Sequence, residues 1–235
     1  MAEGGKILAE TISETAKLVK PGISTFELDQ FAENYILSKG AKPAFKGYDK
    51  FPYSLCTSIN EEIVHCLPSK NRILKEGDII SLDLGVLYKN YNTDMAITVA
   101  VGKISFEAQR LLKITKKSLS LGMKTVKAGS NFGDIGYEIE KYVSGQGLGL
   151  VRDLFGHGIG RDVHEDPLIP NFGKKNSREK ITEGMVFCIE PMVTLGDYRI
   201  KKAKDGYGYS TKDNSLAAHF EHTIAVTKNG ICILT

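Results

Sequence analysis

No stretch of this 235-residue sequence approaches the roughly eighteen consecutive apolar residues that a membrane-crossing helix needs, so a helical membrane protein is excluded. Net charge is equally scarce. The 31 Lys and Arg against 28 Asp and Glu leave +3, too little by itself to imply a nucleic-acid or membrane-surface partner. Only four cysteines occur, Cys56, Cys66, Cys188 and Cys232, and none forms a C-x-x-C pair, which argues against a zinc knuckle and a thioredoxin-type site. Neither G-x-S-x-G nor the P-loop G-x-x-x-x-G-K-[ST] is present, so the sequence gives no support to serine-hydrolase or P-loop chemistry. The N-terminal MAEGGKILAETISETAK has no apolar signal region, and reduced thiols in a cytoplasmic protein are expected. No proline-rich or serine-rich linker divides the chain.

Apolar residues at 42% and charged residues at 25% are ordinary for a globular chain. Leu8, Ile12, Thr15 and Val19 recur at helical spacing until Pro21-Gly22. Ser24-x-x-Glu27 is a capping box that opens a second helix with the apolar stripe Leu28, Phe31, Ala32, Tyr35 and Ile36, ending at Gly40. Strand patterns follow in SLCTSI, DIISLDLGVL and DMAITVAV, then two helices near 105–123 and 131–144. The strands GMVFCIEP, HFEHTIAVT and GICIL close the chain. The final Cys232-Ile233-Leu234-Thr235 has the form of a prenylation box, but with no polybasic run or spacer before it the segment reads as the end of a buried strand.

Helix, helix, strands is thus used twice, and the chain repeats itself at an offset of 107 residues. Gly22 falls on Gly129, Glu27-Leu28 on Asp134-Ile135, Gly40 on Gly147, Glu76-Gly77 on Glu183-Gly184, and Asp83 on Glu190. Two related halves, roughly 1–103 and 104–235, are expected to form a single catalytic domain.

Four acids stand where a core is expected. Asp83 and Glu190 lie inside apolar strands, Asp94 precedes Met95-Ala96-Ile97-Thr98-Val99, and Glu221 lies within Ala217–Ile224. A hairpin centred on Tyr88 and Lys89 would set Asp83 opposite Asp94. The strands carry no Lys or Arg to neutralise these groups, so burial of all four demands a cation. Carboxylates with a histidine suit Mn²⁺, Fe²⁺, Co²⁺ or Zn²⁺, and acids able to bridge favour two ions about 3.5–4 Å apart, as in dinuclear hydrolases. Two of the five histidines, His157 and His164, fall in GHGIGRDVHEDP, where glycines beside His157 would let backbone and metal approach closely.

With these motifs in place, the chain resembles the short, type I methionine aminopeptidases. The resemblance runs from the Asn60–Pro68 segment through LDLG, NTDMAITVAVG, GHGIGRDVHEDP and MVFCIEPM to HFEHTIAV. It implies a pita-bread α/β fold: a pseudo-two-fold repeat of helix, helix and strands around a curved antiparallel sheet. It implies two divalent ions (Co, Mn, Fe or Zn) held by Asp83, Asp94, His157, Glu190 and Glu221, with Glu190 as proton carrier. It also implies that His164 contacts the developing oxyanion and His65 the substrate backbone. The methionine pocket is implied at Phe45, Tyr48, Phe51, Cys56, Val163, Met192 and Tyr207.

Three positions depart from the family pattern: Cys66 replaces a common glycine, Val163 a common phenylalanine, and Tyr207 a common tryptophan, a residue this chain lacks altogether. The implied substrate is the N-terminal methionine of a nascent polypeptide whose second residue is small. The expected protein is a monomer with transient ribosome contact through one of the lysine clusters at 113–117, 174–175 or 201–204, and with no membrane or specific nucleic-acid partner. An X-Pro-type aminopeptidase of the same fold is the nearest alternative, but such enzymes carry a sizeable domain ahead of the catalytic one, and 82 residues precede Asp83. A type II enzyme would insert a helical segment between Glu190 and Glu221, which are only 31 apart (221 − 190). A non-catalytic fold relative binding protein or RNA would have lost ligands, and none of the five is missing. Cys56 and Cys66, bracketing His65, are expected to mediate inhibition by thiol reagents.

Overall fold

The computed structural model describes residues 1–235. Its first helix, α1 (Ala2–Lys17), buries Leu8, Ile12 and Thr15, the stripe expected from their spacing. Helix α2 (Thr25–Ser38) starts at the reciprocal Ser24–Glu27 capping box and buries Leu28, Ala32 and Ile36. Helices α3 (Phe106–Thr125) and α4 (Phe132–Gly145) form the second pair. Asn131 and Asp134 repeat the capping box 107 residues after Ser24 and Glu27.

Nine strands make the main antiparallel sheet. Its order is Lys42–Pro43, Ile79–Tyr88, Tyr91–Ala100, Glu221–Thr227, Val186–Ile189, Gly156–Gly158, Glu165–Ile169, with Leu55–Ile59 paired to Ile79–Tyr88 and Gly230–Ile233 to Glu221–Thr227. Side chains alternate across a strand, so each strand has a helix face and an opposite face. Ile80, Leu82, Leu84 and Val86 join Leu8, Ile12, Leu28 and Ile36 in the core under α1 and α2. Phe187, Ile189, Ile224 and Val226 join Leu111, Phe132, Ile135 and Ile139 under α3 and α4. The residues between them, Asp83, Asp94, Cys188, Glu190, Glu221 and Thr223, therefore point away from the helices.

The two halves are related as the 107-residue repeat requires. Gly22 and Gly129 share φ +92°, and Gly40 and Gly147 share φ +71°, a left-handed conformation that glycine adopts without steric cost. The Gly22 N–H donates to the Leu74 carbonyl and the Gly129 N–H to the Ile181 carbonyl, each at 2.8 Å. A curved antiparallel sheet backed by two helix pairs in pseudo-two-fold relation is the pita-bread fold.

Three local expectations change. The hairpin turns at Lys89-Asn90, both with positive φ, so Asp83 faces Ala96 and Asp94 faces Gly85. The segment HFEHTIAVT is two strands: Ala217–His219 pairs with Met192–Thr194 in a separate three-stranded sheet, and Glu221–Thr227 returns to the main one. A similar break falls at Glu190-Pro191, where proline has no N–H to continue the ladder. The C-terminal strand Gly230–Ile233 lies at a sheet edge with Cys232 and Ile233 exposed, because only one neighbour, Glu221–Thr227, covers it.

Candidate active site

Asp83 and Asp94 come from the central hairpin, Glu221 from the strand beside it, Glu190 from the end of Val186–Ile189, and His157 from Gly156–Gly158. All five are buried. Two groups of ligand atoms form, each within a 4.8 Å span: Asp83, Asp94 and Glu221 in one, His157, Cys188 and Glu221 in the other. Glu221 belongs to both. Nε2 of His157 lies 3.6 Å from Glu190 Oε1 and 4.0 Å from Glu221 Oε1.

The glycines beside His157 serve the sheet rather than a metal. A Cβ on Gly156 would lie 2.3 Å from the Cys188 carbonyl oxygen, and one on Gly158 2.3 Å from the Asp166 carbonyl oxygen. Only glycine lets the neighbouring backbones come this close. His157 Nδ1 is 2.9 Å from the Gly158 carbonyl, which can only accept. The ring proton is therefore on Nδ1, and Nε2 presents a lone pair to the two glutamates.

Acceptor lone pairs thus converge. Asp83 Oδ1, Asp94 Oδ1 and Glu221 Oε1 are buried without a hydrogen-bond partner. The ion-pair partners of Glu190 and Glu221 are imidazoles, with no lysine or arginine among them. Burial raises the Asp83 carboxyl to about 7. Burial, then repulsion from the neighbouring acids, raises Asp94, Glu190 and Glu221 well above the usual range. Buried acceptors of this kind are stable only with protons or a cation, and the set of carboxylates plus an imidazole is of the type that binds first-row divalent ions. The residues fit a metal centre.

They form the floor of a cavity of about 300 Å³. Its wall includes Phe45, Tyr48, Phe51, Cys56, His65, His164 and Tyr207, all anticipated, and Asp49, Lys202, Tyr209 and His219, which were not. Cys56 sits directly opposite Asp83 in register. Phe51 meets Tyr207 edge-on at 5.7 Å, and the Tyr207 hydroxyl donates to the Lys50 carbonyl at 3.0 Å. The His164 ring lies 4.3 Å from that of His157, and its Nδ1 is 3.0 Å from the Tyr48 hydroxyl. His65 enters with φ +59°, a strained backbone for a non-glycine residue, and its ring lies 6.1 Å from that of Tyr209. Burial holds His65 and His157 down to about 4, so both rings are neutral at pH 7.

Val163 and Met192 do not line the cavity. Met192 has crossed Pro191 into the second sheet and packs with Ile63, Val64, Val151 and Ala217. Val163 is buried in the loop that brings the adjacent His164 to the cavity. His219 had no local signal: it stands two residues before Glu221, but the chain changes sheet at Phe220, so strand alternation does not carry from one to the other. Lys202 and Tyr209 reach the cavity through the sheet of Ile200–Lys202, Tyr209–Thr211 and Glu62–Val64, a pairing across some 140 residues that no local pattern announces.

Fold and site together define a metal-dependent hydrolase of the pita-bread type. Residues 1–228 match the model of metallopeptidase family M24, and the chain belongs to that family. A methionine aminopeptidase of Clostridium acetobutylicum is 48% identical over 235 residues, which are all of this chain and 94% of that protein. The crystal structure of methionine aminopeptidase from Rickettsia prowazekii superposes with a TM-score of 0.98 at 39% identity, covering all of this chain and 95% of that one. A prolidase from Pyrococcus furiosus shares the fold alone, with a TM-score of 0.76 at 23% identity over 62% of its own length. No helix is long and apolar enough to cross a membrane.

Proposed function

We propose that residues 1–235 act as one catalytic unit that removes the N-terminal methionine from peptides and nascent chains whose second residue is small. The observation that carries this reading is the convergence of four buried, unneutralised carboxylates and a lone-pair-presenting His157 at the floor of an aromatic-walled cavity. The relatives' names point to the same substrate.

Asp83, Asp94, His157, Glu190 and Glu221 would hold two divalent ions, with Glu221 common to both groups of ligand atoms. Such ions, when bound, polarise a carbonyl and lower the pKa of water towards neutrality. Glu190 takes the proton of the attacking water and delivers it to the leaving amine. His164, at the cavity mouth with its ring fixed by the Tyr48 hydroxyl, donates to the oxygen that gains charge in the transition state. His65 binds the substrate backbone. Phe45, Phe51, Cys56 and Tyr207, with Tyr48, receive the methionine side chain, an apolar group that matches a mostly aromatic wall. The substrate in the cell is the emerging N-terminus of a nascent polypeptide in the cytoplasm.

The reading is tested with the metal-free protein supplied in turn with Mn²⁺, Fe²⁺, Co²⁺ and Zn²⁺ and offered Met-Gly-Ser, Met-Leu-Ser and Ala-Pro-Gly peptides. Release of methionine from the first, far faster than any cleavage of the other two, is expected. Preferential cleavage of Ala-Pro-Gly, or no cleavage with any metal, overturns it.

A further inference from the structure

Glu190 lies between two imidazoles. Its Oε1 is 3.6 Å from His157 Nε2 and its Oε2 is 3.7 Å from His219 Nε2. The two histidines are not equivalent, because His157 has its Nδ1 committed to the Gly158 carbonyl and must present a lone pair. His219 is 1% exposed, lines the cavity, and has no hydrogen-bond partner at either ring nitrogen. Leaving a buried imidazole unpaired is costly, so an arrangement that employs it is expected.

The backbone that delivers this ring is unusually well fixed. The His219 N–H donates to Thr98 Oγ1 at 2.9 Å, and the same hydroxyl donates to the His219 carbonyl at 2.8 Å. Ser81 Oγ, 2.8 Å away, supplies a further donor to Thr98 Oγ1. Only the side-chain torsions of His219 and Glu190 remain to adjust, and bringing 3.7 Å to a hydrogen bond of about 2.9 Å is a small rotation.

We propose that His219 is a positioning residue for Glu190: its Nε2–H donates to Oε2 and turns Oε1 towards His157 and the ion they would share. The proposal rests on the role given to Glu190 above. A carboxylate that must both ligate and carry a proton works poorly if it chelates through both oxygens. A neutral donor on Oε2 stops Glu190 rotating and keeps its two oxygens in separate tasks, as partners behind metal ligands commonly do.

The test compares H219A, H219Q and H219M with the wild type. Loss of the donor in H219A and H219M should lower kcat on Met-Gly-Ser by roughly 10–100-fold while KM changes by less than about threefold. Titration calorimetry of the metal-free proteins should show Mn²⁺ affinity weakened by roughly 10–100-fold in the same two variants. H219Q, whose amide N–H can reach Oε2, should recover both to within about fivefold of wild type. Should H219A fail to fold, H219M keeps the comparison, since methionine fills a buried site without a donor. Wild-type kcat and Mn²⁺ affinity in H219A or H219M, or impairment of H219Q equal to that of H219M, would overturn the role. A wild type that neither binds Mn²⁺ nor cleaves Met-Gly-Ser removes the proposed function itself, and the inference with it.

Discussion

Asp83 and Asp94 share one face of the central hairpin as diagonal neighbours, not as direct partners: Asp83 faces Ala96 and Asp94 faces Gly85. The turn lies one residue further along than the sequence pattern suggests, which moves the pairing by two positions. Because side chains alternate with period two, a shift of two returns both carboxylates to the same face, whereas a shift of one would have sent them to opposite faces. The pair therefore stays buried with unpaired Oδ1 atoms, and the protonation of that pair must depend on whether a cation is present.

The metal-free protein should lose thermal stability as pH rises from about 6.5 to 8. Asp83, held near 7 in the folded chain against an ordinary value of 3.8, binds more protons folded than unfolded, so its contribution to stability falls as pH climbs towards that value. Asp94, Glu190 and Glu221, also raised by burial and by one another's charge, act in the same direction. His65 and His157, held near 4 from 6.5, His219, held near 3, and His164 and His222, also lowered by burial, work the other way, but their effect fades as pH passes the ordinary value of 6.5. Scanning calorimetry with a chelator present should show a falling Tm over this window, and added Mn²⁺ should raise Tm most at the alkaline end. A metal-free Tm that rises from pH 6.5 to 8 would contradict the carboxylate assignment.

Glu190→Gln keeps the size of the side chain and removes its capacity to take a proton. Turnover of Met-Gly-Ser should fall by roughly 10²–10⁴-fold, the range for loss of a general base. Asp83, Asp94, His157 and Glu221 remain, so the purified variant should still hold metal when assayed by elemental analysis. Near wild-type turnover would remove Glu190 from the proton-carrying role.

What the sequence disclosed and what it hid follow from range. Local rules located α2 through its Ser24–Glu27 box, and the burial cost of a charge singled out Asp83, Asp94, Glu190 and Glu221 from their apolar flanks alone. The 107-residue repeat carried the two-fold relation of the halves, since equal spacing of Gly22 and Gly129 demands equal turns. Met192, assigned to the pocket by the resemblance alone, lies beyond Pro191, which ends the main-sheet strand and hands the chain to a second sheet. Lys202 and Tyr209 were hidden because Lys202 is held by pairing with Tyr209, and Tyr209 by pairing with Val64, far away in the chain.

His164→Ala should act mainly on kcat. Its ring stands 4.3 Å from that of His157 and is braced by the Tyr48 hydroxyl, at the mouth of the cavity rather than in the aromatic pocket. Loss of one donor to a developing oxyanion commonly lowers kcat by roughly 10²–10³-fold. Tyr48→Phe leaves the donor but removes its brace, so a smaller loss of the same kind is expected. Steady-state kinetics of the two variants would remove His164 from this role if kcat held and KM rose instead.

The thiols should resist alkylation, contrary to what their position beside His65 suggests. Cys56 and Cys66 are both buried. Burial raises Cys56 well above the ordinary thiol value, helped by the nearby Asp83, and raises Cys66 to about 12. Alkylation proceeds through the thiolate, which is nearly absent at either site at neutral pH. Cys232 is exposed on the edge strand Gly230–Ile233. Iodoacetamide at pH 7.5, followed by mass spectrometry of peptides and by peptidase assay, should label Cys232 first and leave activity intact. Rapid modification of Cys56 or Cys66 with parallel loss of turnover would show that the cavity opens far more than its packed aromatic wall of Phe51 and Tyr207 indicates.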